Sequence, residues 1–461
     1  MTSEVKLRRS GETTPIWRAP SQTYAWFIVG YLMLLYMTNF IDRAILPLLV
    51  RPIRADLGIT DTEFSYFTGL GFTVMYVIAG LPLGYIVDRA SRRGTIAIGM
   101  AIWSFMVASC GLANSYGRLF FSRVGVGIGD ATLNPATYSL VADIFPPNKL
   151  SKALSIYALG IPIGGGIALL AGGPFVQTMT DIGPVDLPLI GVAKPWQTVF
   201  LVIGLPGVLL AFMTMLLVPE PPRHEVSGTN KGEGKPSFRV VLAYLWEHKS
   251  VYFPLALGMS CFVLFSYGVN SWYPTFLQRN REFSIADAGL FLGIPTTLFG
   301  ILGSIGAGYF ADRLVARGKA DGQIIVGLIY ALGLMICGVG GTLIPVRWLS
   351  LTLIVCTYLF SFTWIGTAAA LIQILTPNRM RGQVSVMYLF TINLLGMGLG
   401  PTFVAASTDH IFGYDEAVGY SLALIAIVFI SIGMLLLQWG RKPLRELMLK
   451  REGLQLKPVT E

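Results

Sequence analysis

Residues 84–93 read GYIVDRASRR, and residues 308–317 read GYFADRLVAR. Each stretch follows a long apolar run, and the second repeats the first at an offset of 224 residues. A shorter pair, PNK at 147–149 and PNR at 377–379, repeats at an offset of 230 residues. Because two motifs recur at nearly the same offset, the sequence predicts a chain built from two similar, parallel halves.

The composition predicts that both halves lie in a membrane. Of the 461 residues, 54% are hydrophobic and 13% are charged, against about 25% charged residues in ordinary soluble domains. Twelve helices of roughly 20 residues would use about 240 residues, which is close to the apolar total. We therefore expect an all-α membrane protein with twelve transmembrane helices in two pseudo-symmetric six-helix bundles. This composition excludes secreted, nucleic-acid-binding and disulfide-stapled classes, and the four cysteines lie in apolar runs.

Polar breaks divide the chain into five parts. The longest break, rich in Pro and Gly, lies between the two sets of six apolar runs and predicts a linker. The predicted parts are a cytoplasmic N-terminal tail at 1–23, a six-helix bundle at 24–218, a cytoplasmic linker at 219–249, a second bundle at 250–440 and a cytoplasmic C-terminal tail at 441–461. The predicted helices begin near Tyr24, Asp61, Gly94, Ser115, Leu150, Trp196, Ser250, Ser284, Gly322, Arg347, Met380 and Ala417.

The distribution of Lys and Arg predicts the orientation of the chain. Most basic residues of the loops fall in the tails and in the loops on the same side as the tails. The opposite side holds only Arg51, Arg54, Arg118, Lys194, Arg279, Arg281 and Arg347. By the positive-inside rule both termini are cytoplasmic, in the inner membrane if the chain is bacterial. The net charge of +9 is then a signal of topology and a contact for anionic membrane lipids, with no nucleic acid as partner.

Four charged residues remain inside predicted helices: Asp42 and Arg43 in helix 1, and Arg123 and Asp130 in helix 4. Charged groups at this depth face a bundle interior or a wet cavity and pair with one another. Arg123 and Asp130 are seven residues apart, so they share a helix face at a spacing of roughly 10 Å, which leaves room for a group from helix 1. One interpretation is a permanent salt-bridge cluster that locks the two helices. The other is that Asp42 or Asp130 carries a proton while Arg43 or Arg123 binds an anionic head group.

Glycine-rich runs in three helices predict close packing. The run RVGVGIG at 123–129 superficially resembles a dinucleotide-binding fingerprint, but it lies in a membrane helix with no preceding strand. The runs at 160–166 and 396–401 occupy equivalent places in the two halves. We expect these small residues to let helices pack closely, bend and slide.

The repeated motif is also a candidate gate. Its charged residues sit where helices leave the membrane on the cytoplasmic side, and the alternative is that they are merely solvated helix ends. The candidate gate residues are Asp88, Arg89, Arg92, Asp312 and Arg313. On the outer side, the segment Thr60–Glu63 is interpreted as a helix N-cap with a capping box rather than as a functional acid pair.

Polar and aromatic residues inside the helices are candidates for lining a central cavity, although each alone is more often a contact between helices. The candidates are Tyr36, Asn39, Asn134, Asn270, Trp272, Tyr273, Trp364, Thr367 and Asn393. We find no His or Cys cluster with metal spacing and no nucleophile–base constellation, so the sequence predicts neither an enzyme nor a bound metal or cofactor.

At these residues the sequence resembles the major facilitator superfamily, and within it the spinster family of lipid transporters. The wider resemblance rests on residues 84–93, 123–129 and 160–166. The narrower one rests on NFIDR at 39–43, GIGDAT at 127–132 and WYPTFL at 272–277. The resemblance implies a substrate of the sphingosine phosphate or lysophospholipid class. Asp130 stands where that family usually carries Glu.

The sequence thus predicts a proton-coupled secondary transporter that works by alternating access on an amphiphilic, anionic, lipid-like substrate. Its expected partners are this substrate, protons and membrane lipids, and we expect it to be monomeric. One alternative is multidrug efflux or transport of a small organic anion. Another is a transport-dead membrane sensor or scaffold, although the chain lacks the long soluble signalling domain that such a role commonly uses.

Overall fold

The computed structural model describes residues 21–87, 89–188, 191–221, 237–319, 321–362, 371–377 and 379–451. Each half of the chain contributes six spanning helices, as predicted. The first half contains α1 (Gln22–Leu48), α2 (Asp61–Val87), α3 (Arg92–Cys110), α4 (Tyr116–Asp130 and Leu133–Ile144), α5 (Lys152–Ile182) and α6 (Pro195–Leu217). The second contains α7 (Lys249–Asn280), α8 (Ile285–Ala316), α9 (Gly322–Leu343), α10 (Arg347–Ser361), α11 (Arg381–Phe412) and α12 (Asp415–Met448).

Ten of these helices, within the described ranges, are long and apolar enough to cross a membrane. The other two are α4, which is interrupted after Asp130, and α10, of which Arg347–Ser361 is described as one helix. Since consecutive spans alternate in direction, we call the end of the bundle that holds Gln22 the terminal end and the opposite end the far end. The helix starts lie within a few residues of those that the apolar runs predict.

The packing of the helices follows the predicted repeat. In the first half α1 packs on α5 and α3 on α6, and in the second half α7 packs on α11 and α9 on α12. The halves meet where α5 packs on α8 and α2 on α11. A shift of six helices converts one of these contacts into the other, so the interface has the same internal symmetry as the sequence. The α5–α8 contact is close enough that a Cβ atom on Gly289 would lie 2.8 Å from Gly173 Cα.

Two segments contain more helix than the sequence analysis expects. The predicted polar linker includes the helix Phe238–Glu247, which buries Val241 and exposes Phe238 and Trp246. The last helix continues past residue 440 to Arg451, because Leu444 and Met448 extend its apolar face and are buried. A short helix, Val50–Leu57, follows α1 at the far end.

A small hairpin joins α5 to α6 at the far end. Its strands, β1 (Val185–Leu187) and β2 (Gly191–Ala193), are antiparallel. Val185 pairs with Ala193, and Leu187 pairs with Gly191.

Candidate functional site

The site is built on one face of α1. Asn39, Asp42 and Arg43 lie three and four residues apart, so their side chains project from the same side of the helix. That side faces α4, which runs in the opposite direction. Asp42 meets Arg123, whereas Asn39 and Arg43 both meet Asp130, so two separate ion pairs form.

The first pair joins Asp42 and Arg123. Arg123 Nη1 donates to both carboxylate oxygens of Asp42, at 2.8 and 2.9 Å. The exposed fractions are 1% for Arg123 and 0% for Asp42, so the pair is sealed from solvent. A buried pair of this kind costs much to break, because removing one partner leaves an uncompensated charge.

The second pair joins Arg43 and Asp130. Arg43 Nη2 donates to one carboxylate oxygen of Asp130, and Asn39 Nδ2 donates to the other. Asp130 is only 2% exposed, whereas 19% of the Arg43 side chain remains exposed. The two pairs thus differ in access, since only the second presents a charged group that solvent or a ligand can reach.

Aromatic rings surround the exposed arginine. The Arg43 guanidinium lies 4.3 Å from the centre of the Phe72 ring and 5.0 Å from that of Phe40. Such contacts between a cation and a ring face are attractive. Arg43 Nη1 also lies 3.6 Å from Met397 Sδ, which belongs to α11 in the other half. Arg43 therefore stands at the boundary of the two halves.

A cavity of about 140 Å³ lies between the halves at this point. Arg43 and Arg123 both lie in its wall, Arg43 with 19% of its side chain exposed and Arg123 with 1%. The rest of the wall is largely apolar and aromatic. The second half contributes polar side chains as well, among them Ser266, Asn270 and Thr296. The arrangement can hold an anionic group against Arg43 and an apolar group against the rings.

The structure brings the four predicted charges together and places two predicted cavity residues, Asn270 and Trp272, in the wall.

Three other predicted cavity residues, Tyr36, Asn39 and Asn134, lie behind the wall within the first half. The rings of Tyr36 and Tyr157 stack with centres 4.6 Å apart, and Tyr157 donates a 2.8 Å hydrogen bond to Asn134. Asn39 bonds Asp130. The prediction that these three line the cavity is therefore wrong, because they join α1 to α4 and α5.

Two further predicted lining residues also lie outside the described wall. The Tyr273 hydroxyl pairs with Thr357 Oγ1 at 3.2 Å inside the second half. Asn393 is partly buried in α11 and does not contribute to the wall. Trp364 and Thr367 fall outside the described residues.

The sequence analysis missed several wall residues. Phe40 could have been predicted, since it lies three residues before Arg43 on the same helix face. Phe72 and Met397 come from α2 and α11, and no spacing within a single helix predicts that they meet Arg43.

The predicted gate does not form across the halves at the described residues. Arg89 lies over the ring of Tyr85, and Arg313 donates to the Tyr309 hydroxyl at 3.2 Å, each contact lying one turn back in its own helix. Arg92 is buried and joins Asp143 and Glu220 within the first half. Arg92 is therefore an anchor inside one bundle. Asp312 is exposed, and Asp88 falls outside the described residues.

The ion pairs that join the halves, among the residues that the structure describes, lie at the far end. Arg279 donates to both oxygens of Asp61 at 2.6 and 2.9 Å, and Arg54 donates to Asp415 at 2.7 Å. Thr62 donates through its backbone N and its hydroxyl to Asp409, at 2.7 and 2.6 Å. The sequence analysis predicted a capping box at Thr60–Glu63, which the structure confirms, and it missed the ion pair that Asp61 also makes.

The glycine run of α4 serves close packing, as the sequence predicts. A Cβ atom on Gly127 would lie 2.5 Å from the Phe72 carbonyl oxygen, and one on Gly129 would lie 2.5 Å from Trp103 N. Neighbouring helices thus approach the backbone of α4, which brings Phe72 close to the charged residues.

Twelve spans in two similar halves, with a charged cavity between them, define a membrane transporter of small molecules rather than an enzyme. The chain belongs to the Major Facilitator Superfamily, whose model matches residues 32–401. It is an integral, multi-pass membrane protein. The predicted superfamily and the predicted resemblance to spinster proteins are both confirmed.

Three similar proteins illustrate the relationship. The chain is 28% identical to an MFS-type efflux pump of Mycolicibacterium smegmatis (strain ATCC 700084 / mc(2)155), covering 89% of this chain and 91% of the relative. It is 26% identical to protein spinster homolog 1 of Rattus norvegicus, covering 88% and 79%. A crystal structure of a bacterial homolog to the human lysosomal transporter spinster, inward-facing and unoccupied, matches with a TM-score of 0.79 at 23% identity, covering 95% of this chain and 100% of that one.

Proposed function

We propose that this transporter works by alternating access and couples the movement of an amphiphilic, anionic, lipid-like substrate to the movement of a proton. The proposed substrate class is that of sphingosine phosphate or lysophospholipids. We also propose that the protein is a monomer with both termini cytoplasmic. It lies in the inner membrane if the chain is bacterial, and it contacts anionic lipids on the cytoplasmic side.

The observation that carries the proposal is the unequal access of the two ion pairs. Asp42 and Arg123 are sealed, which suits a structural lock between α1 and α4. Arg43 is exposed to the cavity while its partner Asp130 is buried. Of the four charges, Arg43 is therefore the one that a ligand can take from its partner.

The coupling follows from charge balance. An anionic head group that binds Arg43 draws the guanidinium away from Asp130. The buried carboxylate then lacks a cation, and taking up a proton removes the cost of that isolated charge. Release of the head group restores the pair and expels the proton. Substrate binding and proton uptake thus favour each other.

The wall of the cavity supports an amphiphile over a fully polar anion. Phe40, Phe64, Phe72 and Trp272 present aromatic surface next to Arg43. Burial of apolar substrate on these rings adds affinity that a small hydrophilic anion lacks. The resemblance to spinster proteins favours the same class.

The far-end contacts supply the second requirement of alternating access, which is a closed side. Arg279 with Asp61, Arg54 with Asp415 and Thr62 with Asp409 join the halves at that end. We infer that these contacts open when the cavity turns to the far side. The proposed orientation makes the far side extracytoplasmic.

The experiment is uptake into proteoliposomes with an imposed pH gradient. It compares a labelled lysophospholipid, sphingosine phosphate and a soluble organic anion such as a sugar acid. The proposal expects pH-dependent movement of one of the amphiphiles and little movement of the sugar acid. Movement of the sugar acid alone would favour the small-anion alternative, export of cationic dyes would favour drug efflux, and no transport of any would favour a sensor or scaffold.

A further inference from the structure

A second pocket lies at the terminal end of the second half, away from the central cavity. It sits between the linker helix Phe238–Glu247 and the terminal ends of α7, α11 and α12, and its volume is about 550 Å³. Volumes of roughly 300–1,000 Å³ are typical of sites that hold small molecules. None of its wall residues belongs to the wall of the central cavity.

The wall of this pocket is almost wholly apolar. Leu245, Phe253, Ala256, Met387 and Trp439 contribute to it, from four different elements. Since the pocket lies within the first turns of α7 and α11, it is at the level where the spans leave the bilayer. Its floor therefore suits a hydrocarbon chain.

The rim of the pocket suits a head group. Trp246 and Trp439 are 72% and 62% exposed, and tryptophan is enriched where a membrane protein meets the head-group layer. Lys249 also contributes to the pocket, and its Nζ atom lies 4.8 Å from the centre of the Trp246 ring. A fixed positive charge beside apolar surface at this depth complements an anionic lipid.

A buried hydroxyl gives independent support. Tyr388 forms part of the wall and is 5% exposed, and its hydroxyl has no hydrogen-bond partner among the described residues. An unpartnered polar group of this kind is costly in a folded protein. An ester or phosphate oxygen of a bound lipid would supply the missing acceptor.

We propose that this pocket binds one anionic phospholipid. An acyl chain lies against Phe253 and Met387, and the phosphate pairs with Lys249. The bound lipid joins the linker helix to α7 and α11 and so stabilises the attachment of the linker to the second half. The site differs from the transport site, and the inference does not depend on which substrate is transported.

The experiment uses the full-length chain, purified in detergent and stripped of lipid. Its melting temperature is measured against increasing phosphatidylglycerol, phosphatidylcholine or inorganic phosphate. A ligand that binds only the folded state raises the melting temperature, and the rise begins at a lower ligand concentration when the ligand binds more tightly. We expect phosphatidylglycerol to stabilise the protein at lower concentration than phosphatidylcholine, and phosphate alone to have no effect.

Variants identify the site. Lys249→Ala should weaken the effect of phosphatidylglycerol about fivefold, the loss expected from one basic contact with an anionic lipid. Ala256→Phe, which fills the pocket from α7, should remove most of the effect. Lys152→Ala is the matched control, because Lys152 is also exposed at the terminal end with its Nζ 5.7 Å from a tryptophan ring, that of Trp26.

Three results would overturn the inference. Equal stabilisation by the two lipids, with Lys249→Ala behaving like Lys152→Ala, would mean that the pocket makes only ordinary contacts with lipid tails. Stabilisation by inorganic phosphate alone would mean an anion site without a lipid. Dimer formation that Ala256→Phe abolishes would mean that a second copy of the chain covers the pocket.

Discussion

Arg279 and Asp61 form a two-pronged ion pair across the boundary between the two halves, with Nη1 and Nη2 at 2.6 and 2.9 Å from the carboxylate oxygens. Arg279 is 2% exposed and Asp61 is 0% exposed. Paired arginine and carboxylate groups of this geometry are among the stronger polar contacts in proteins. The pair is therefore a strong polar contact at the far end, where Arg54 also lies 3.0 Å from Asp61 and Arg279 lies 3.5 Å from Asp415.

Asp61→Asn should open the far end. The substitution removes the carboxylate that both Arg279 and Arg54 contact and leaves only Asp415, at 3.5 Å, beside the buried Arg279. The closed conformation should lose up to about 3–5 kcal/mol. Spin labels on the exposed residues Glu63 and Tyr414 should then report longer distances. Asp415→Asn is the comparison, because Asp415 is 49% exposed and its contacts with Arg54 at 2.7 Å and with Arg279 at 3.5 Å are each worth at most about 1 kcal/mol. Equal distance distributions for the two variants would contradict the role of Asp61.

Gly69→Ala should open the same end by a steric route. A Cβ atom on Gly69 in α2 would lie 2.6 Å from the carbonyl oxygen of Gly398 in α11, so the two halves approach there backbone to backbone. Crowding of this kind costs about 1–3 kcal/mol. Gly80→Ala, in the same helix, places its Cβ in open space and serves as the control. The prediction fails if both variants give the label distances of the unmodified protein.

Asp42→Asn should destabilise the folded protein more than Asp130→Asn. Loss of Asp42 strands the sealed Arg123 at a cost of about 3–5 kcal/mol, whereas Arg43 can turn toward the cavity when Asp130 is neutral. The measurement is the melting temperature in detergent. Asp42→Asn combined with Arg123→Gln should recover part of the loss, because no charge is then left unpaired. A larger loss in Asp130→Asn would show that the two pairs have been assigned the wrong roles.

Glu220 should make stability depend on pH at the terminal end. Burial raises the pKa of Glu220, but hydrogen bonds from Ser91, from the backbone N of Arg93 and from Arg92 outweigh it, so the pKa lies below its usual range. A lowered pKa adds stability above the pH at which an unfolded glutamate titrates, about 4.3, and that stability is lost as the pH falls through the folded-state value.

Glu220→Gln should therefore lower the melting temperature at pH 7 and have less effect near pH 3. Glu247→Gln, on the exposed face of the linker helix, controls for the loss of one carboxylate. A constant difference between Glu220→Gln and the unmodified protein across this pH range would contradict the assignment.

The fold was predictable because its signals are local and repeated. Apolar runs locate the spans within a few residues, and the repeated motif at 84–93 and 308–317 indicates the two halves. The four charges of the site were also predictable, since a charged side chain inside an apolar helix needs a partner. The pairing of these charges could not be predicted, because it depends on how α1 and α4 are placed along each other.

Contacts between distant helices account for what the sequence analysis missed or misplaced. Asp61 carries a clear capping signal, and nothing within α2 indicates that Arg279, more than 200 residues away, lies against it. Arg92 belongs to the repeated motif, but its contact with Glu220 could not be predicted from that motif. Glu220 follows the end of α6, and its position beside Arg92 depends on how α6 packs. Tyr36 and Asn134 are polar residues inside apolar helices. Such residues occur both in cavity walls and in contacts between helices, so the sequence could not distinguish the two.

The central claim is that an anionic head group takes Arg43 from Asp130 and that Asp130 then takes a proton. The most direct measurement is the uptake of protons from weakly buffered solution when the transported amphiphile is added to the purified protein. The account predicts about one proton for each molecule bound near neutral pH and none in Asp130→Asn. Binding without proton uptake in the unmodified protein, or equal uptake in Asp130→Asn, would contradict it.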